Sequence, residues 1–168
     1  NTTNDGANYL TYLFDNLLRV DKEGKVAPSL AEKYEVSDDG LTWTFNLRDG
    51  LKWSDGSALT ANDFVYSWQR MIDPEVAAPY AEITLGMLEG YEEAIGLPDA
   101  DGNPTIDPDV TKLGVEATDD KTLVVHMSSP TPYFDKLATF PALSPVKKDV
   151  VEANPDGWTL DPKTYISS

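Results

Sequence analysis

The strongest constraint on this chain is a seven-residue run, Thr42-Trp43-Thr44-Phe45-Asn46-Leu47-Arg48, in which polar and large apolar side chains strictly alternate. Successive side chains of a strand point to opposite faces, so Trp43, Phe45 and Leu47 share one face and the polar residues the other. A strand of this kind needs a sheet with one buried and one wet face. Tyr34-Glu35-Val36 also alternates, and Ser37-Asp38-Asp39-Gly40 supplies turn residues between the two runs, so the stretch reads as a hairpin. A second hairpin is expected from Leu113–Thr118, a turn at Asp119-Asp120, and Thr122–Met127.

Helical signals surround the hairpins. From Asn8, apolar residues at Leu10, Leu13, Phe14, Leu17 and Leu18 follow the three-and-four spacing of an amphipathic helix. Pro28-Ser29-Leu30-Ala31-Glu32 reads as a helical turn with proline near its first position. The clearest helix opens at Thr60, a capping residue, with Asp63 at the positive end of the dipole. Phe64, Val65, Trp68, Met71 and Ile72 form its apolar stripe, and Pro74 marks its stop. Shorter helices are expected around Leu88, Tyr91 and Ile95, around Tyr133, Phe134 and Leu137, and within Val146–Ala153; Pro141 and Pro145 bracket an extended stretch. Helices and antiparallel hairpins without a βαβ rhythm give an α+β fold. At 168 residues, with 40% apolar content, a single domain over 1–168 is expected.

Composition removes several function classes. The net charge of −16 repels phosphate backbones and anionic headgroups, which excludes nucleic-acid and membrane-surface roles. No cysteine is present, so disulfides, thiolate metal sites and cysteine nucleophiles are excluded. No apolar run approaches the roughly 20 residues that span a bilayer. The one histidine, His126, falls on the wetter side of the second hairpin, where an ordinary strand residue is expected. Phosphate-cradling glycine loops and the serine nucleophile elbow are both missing. The acidic pairs Asp38/Asp39, Glu92/Glu93 and Asp119/Asp120 sit beside turns or on a polar helix face, where no carboxyl would be tuned for acid chemistry. No catalytic residue and no cofactor is therefore expected.

Two features remain as candidate sites. Asp99, Asp101, Asn103 and Asp107, with Thr105 between the last two, place oxygen side chains at alternate positions, as a calcium loop does. The glycine comes too early, however, and Val110 stands where the bidentate glutamate belongs, so the spacing favours a solvated acidic loop. Tyr80 follows Pro79 in a break between helical segments. Rigidly held loop positions are where binding residues collect, so Tyr80 is a candidate for lining a site.

The residues also carry a resemblance. Leu30-Ala31-Glu32, Trp43 to Gly50, and Lys52-Trp53-Ser54-Asp55-Gly56 resemble the signature of family 5 extracellular solute-binding proteins of ABC importers. Leu59 to Arg70 resembles the family's next block, while Ala78-Pro79-Tyr80-Ala81 and Pro130-Thr131-Pro132-Tyr133-Phe134 resemble its oligopeptide branch. Ser144-Pro145-Val146 fits as well.

The resemblance implies a two-lobed receptor that closes over an extended peptide, gripping it largely by backbone hydrogen bonds. It implies that Tyr80 faces the ligand and that the early loop, Thr2, Thr3 and Asn4, approaches it. Receptors of the family are much longer, so the chain is expected to be a fragment. Its counterpart would be the subdomain inserted into the first lobe, a small antiparallel sheet of two hairpins with surrounding helices.

The expected function is peptide capture for import, as a monomer working with permease subunits, from an extracytoplasmic position on a lipid anchor or in a periplasm. Dipeptide, nickel-chelate or oligosaccharide cargo, and a calcium-stabilised interaction module, are the alternatives.

Overall fold

A computed structural model describes residues 14–98, 101, 103–155, 157–158 and 167–168. Two antiparallel sheets form. The smaller pairs β1 (Leu18–Val20) with β2 (Val26–Pro28), joined by a turn in which the Asp21 carboxylate accepts the Glu23 and Lys25 amides at 2.8 and 2.9 Å. The larger has four strands: β3 (Ala31–Val36), β4 (Thr42–Leu47), β5 (Val115–Asp119) and β6 (Thr122–His126). Their spatial order is β3-β4-β6-β5, so the two hairpins lie side by side through β4 and β6.

The alternation in β4 does what its period demands. Trp43, Phe45 and Leu47 are buried, and register sets Trp43 opposite Val125 and Phe45 opposite Leu123, which are buried too. Helix α1 (Ala61–Ile72) packs its apolar stripe against β5 and β6. The Asp63 carboxylate accepts the Thr60 backbone amide at 2.7 Å, occupying one donor at the helix start. Trp68 at the centre meets Phe64 and Phe134 edge-on, and its indole N–H donates to the Leu143 carbonyl at 3.0 Å. Phe134 in turn lies edge-on to Trp43 and Phe45, so one aromatic cluster joins helix, sheet and the later segments.

Three expectations are corrected. The described end of the first apolar stretch is not helical: Phe14 to Leu17 is irregular and Leu18 opens β1, while the part before Phe14 lies outside the described residues. Phe14, Leu17 and Leu18 are all buried, and burial of an irregular segment against the core imitates helical spacing. Pro28 ends β2 opposite Leu18, and Ala31 opens β3, so no helical turn forms there; strand pairing claims these amides, and proline is tolerated at the end of a two-stranded ribbon. Pro141–Leu143 is a 3-10 turn and not extended, because Leu143 turns inward to the core.

The remaining helices are short: α2 (Ala81–Leu85), which the residue pattern does not announce, α3 (Tyr91–Ile95), α4 (Phe134–Leu137) and α5 (Lys148–Ala153). Leu88 precedes α3 and pairs with Met127 as a β-bridge.

Candidate functional site

Tyr80 is the residue before α2, and its carbonyl accepts the Thr84 hydroxyl at 2.5 Å, which ties that carbonyl into the first turn. Its side chain stays 40% exposed. The phenol ring meets Phe140 edge-on, with centroids 5.3 Å apart and planes at 70°. Phe140 is itself 37% exposed, although its neighbours Ala138 and Leu143 are buried. An exposed aromatic pair on backbone this well anchored is available to a ligand.

The anchor behind Phe140 is Asn16. This buried side chain donates its amide N–H to the Phe140 carbonyl at 2.6 Å, and its oxygen accepts the Leu17 amide at 2.8 Å. The Leu18 amide adds a bond to the Ala138 carbonyl at 3.3 Å. The segment leading into β1 is thereby stitched to the segment that carries Phe140. Thr2, Thr3 and Asn4 lie outside the described residues.

Neither Phe140 nor Asn16 emerges from sequence periodicity. Phe140 does share a signal with Tyr80, since each is an aromatic beside a proline (Phe140-Pro141, Pro79-Tyr80) in a segment without period. Asn16 gives no signal, because its role exists only once two distant segments meet.

Away from this pair, a shallow cleft of about 360 Å³ is lined by Trp53, Ser57, Asp63, Lys147, Asp149 and Glu152 among others. Lys147, with its side chain 14% exposed, forms ion pairs with Asp55 and with Asp149. The Asp55 carboxyl is held well below the usual range, first by the Lys147 bond and then by Ser57, while the same bond to Asp55 raises Lys147. Asp63 goes the other way, because burial raises its pKa against the lowering hydrogen bonds from Thr60 and Trp53. Lys147, Asp55 and Asp149 hold their charges against one another, the pattern of a fastening between the 53–57 turn and α5.

The remaining candidates are placed as follows. His126 Nε2 lies 3.2 Å from a Glu116 carboxylate oxygen across the β5–β6 pair. The acidic pairs are exposed, and Asp39 and Asp119 serve as turn acceptors for Leu41 and Lys121 amides. Asp101, Asn103 and Asp107 are exposed and Asp99 lies outside the described residues; among the described residues no group of three or more metal-ligating side chains converges. No helix among them is long and apolar enough to cross a membrane.

Comparison with known proteins supplies the frame for this geometry. The family model for Bacterial extracellular solute-binding proteins, family 5 Middle, matches residues 25–168. The chain belongs to that family. It is 47% identical over 148 residues to the periplasmic oligopeptide-binding protein OppA of Salmonella typhimurium, a match covering 88% of this chain and 25% of that one. It is 41% identical over 156 residues to an Escherichia coli protein named probable deoxycholate-binding periplasmic protein YgiS, covering 93% of this chain and 28% of the relative.

Among solved structures, the substrate-binding domain of an oligopeptide ABC transporter from Bacillus anthracis superposes with a TM-score of 0.86 at 37% identity, covering 99% of this chain and 30% of that one. The chain thus spans roughly a quarter of the length of the curated relatives it matches. Its α+β architecture corresponds to part of one lobe of a two-lobed binding protein.

Proposed function

We propose that this chain is a single-domain segment of the substrate-binding component of an oligopeptide ABC importer, and that it forms one wall of the peptide cleft. The observation that carries this reading is the Tyr80–Phe140 pair, exposed and anchored in a chain 47% identical to an oligopeptide-binding protein. The receptor captures peptides outside the cytoplasm, as the family description and the periplasmic names of its relatives support. It works as a monomer with permease subunits and catalyses no reaction. Tyr80 faces the ligand, and Thr2, Thr3 and Asn4 are further ligand-binding residues.

Titration calorimetry on the full-length receptor with tetra-alanine tests this, with a dissociation constant in the micromolar range or tighter expected. A relative named for deoxycholate, 41% identical over nearly the same residues, makes that steroid the second ligand to titrate. Binding of deoxycholate without peptide would overturn the peptide reading and leave the receptor reading in place. The isolated chain should bind peptide far more weakly than the receptor, because one wall supplies only part of the contacts and no closure.

A further inference from the structure

We propose that Asp49-Gly50 is a site of spontaneous backbone modification, where aspartate converts through a cyclic imide to isoaspartate, and that Lys121 is the residue that restrains it.

The chemistry needs only the chain and water. The Gly50 nitrogen bonds to the Asp49 Cγ, and the carboxyl OH leaves with the amide proton as water. Water then adds back across one of the two imide carbonyls. Where it breaks the bond between the nitrogen and the main-chain carbonyl, the chain continues through Cγ and the residue is isoaspartate. Composition is unchanged, but the backbone between β4 and the Lys52–Ala58 bridge is one methylene longer. Glycine after the aspartate leaves the attacking nitrogen unhindered.

Three Asp-Gly dipeptides have both residues described, and their surroundings differ. The Gly40 amide donates to the Ser37 carbonyl at 2.8 Å, and the Asp39 carboxylate accepts the Leu41 amide at 3.0 Å and the Ser37 hydroxyl. The Gly56 amide donates to the Trp53 carbonyl at 2.8 Å, and the Asp55 carboxylate accepts the Ser57 amide and hydroxyl and pairs with Lys147. In both, the nucleophile and the carboxyl are already engaged within the turn. The Gly50 amide makes no hydrogen bond among the described residues, and the space around this exposed glycine is open. Its φ of +70° is a conformation that favours glycine, so the turn itself calls for the least hindered nucleophile.

What holds Asp49 is one ion pair. Its carboxylate, 87% exposed, meets the Lys121 ammonium, which lies in the β5–β6 turn and is kept charged first by Asp49 and further by Asp119 and Glu32. The pair acts against the reaction in two ways. It draws the carboxylate away from the Gly50 nitrogen, and it favours the ionised form, whereas the protonated carboxyl is the form that loses water.

The test incubates the full-length receptor in mildly acidic heavy-oxygen water at 37 °C, followed by peptide mapping in ordinary water. Each imide hydrolysis adds one oxygen-18, and Asp-N protease cuts before aspartate but not before isoaspartate. Asp49 should gain label and resist Asp-N about three- to tenfold faster than Asp39 or Asp55, the scale of the one hydrogen bond that their glycine amides must first release. Lys121→Met should accelerate conversion at Asp49 alone by about two- to fivefold, the scale of an exposed ion pair, and Lys121→Arg should match the parent. Molar salt should speed the parent at this site by a similar factor, which serves as the measure if Lys121→Met does not fold by near-ultraviolet circular dichroism.

Conversion at Asp39 or Asp55 as fast as at Asp49 overturns the site. Resistance to Asp-N without oxygen-18 overturns the imide route. An unchanged rate in Lys121→Met, or in molar salt, overturns the restraint. No ligand enters these measurements, so each outcome is separate from the fate of the peptide-binding reading.

Discussion

Two groups of aromatic side chains in this molecule have similar size and opposite circumstances. Trp43, Phe45, Trp68 and Phe134 meet in the core between the four-stranded sheet and α1, where each ring is enclosed. Tyr80 and Phe140 meet on irregular backbone with much of both rings open. The enclosed set lies on elements whose period turns every apolar residue to one side. The open pair lies beside prolines, where no period dictates direction and hydrogen bonds to the backbone decide it. Rings of the first kind should carry stability, and rings of the second kind should carry recognition.

The sharpest contrast comes from truncating one ring of each kind. Phe45→Ala removes a fully buried ring and should cost about 3–5 kcal/mol in urea unfolding. Phe140→Ala should stay within about 0.5 kcal/mol of the parent. A comparable loss at both positions would erase the distinction.

Within the enclosed set, the two tryptophans differ in a polar detail. Trp68 donates to the Leu143 carbonyl, whereas the buried Trp43 indole N–H has no hydrogen-bond partner among the described residues. Trp68→Phe deprives a carbonyl of its donor, while Trp43→Phe discards a donor that was already desolvated. Trp68→Phe should therefore be the more costly by about 1–2 kcal/mol, measured by the same unfolding experiment.

Asp63 tests how the helix under the core begins. Asp63→Ala should cost about 1 kcal/mol through loss of the acceptor for the Thr60 amide. Asp63→Asn keeps an acceptor and cannot titrate. Burial raises the folded pKa of Asp63, so its contribution is present at low pH and is lost as pH rises through that value. The stability of the Asn variant relative to the parent should accordingly increase from pH 3 to pH 7, as melts across that range would show. A flat difference would mean that Asp63 is solvated.

The smallest effect is expected at Lys147. Lys147→Met should lower the melting temperature by about one to two degrees at low salt and pH 7, and by less in molar salt. The contribution of the Asp55 partner is present above the ordinary carboxylate pKa and is lost as pH falls through its depressed folded value, so the difference should also shrink in strong acid.

Much of the fold was legible before any coordinates. The polar-apolar alternation of 42–48 placed Trp43, Phe45 and Leu47 in the core, and the Thr60/Asp63 pair located the start of α1, because both signals act over a few residues. The Phe14–Leu18 spacing misled for a matching reason: an irregular buried segment has no period of its own, and adjacent leucines imitate one. At the candidate site Tyr80 was legible beside Pro79 and through the family resemblance, whereas Asn16 was not, since its partner Phe140 is 124 residues away.

Local pattern and motif were thus enough for the hairpins, the central helix, the α+β class and the family. Long-range packing had to settle that the two hairpins share one sheet through β4 and β6, that the 14–18 segment enters a ribbon, and that Phe140 stands open beside Tyr80. The reason is range. Periodicity and capping are settled by neighbours within a turn or two, while strand order and the exposure of a loop residue depend on which distant segments compete for the same hydrogen bonds and the same core volume.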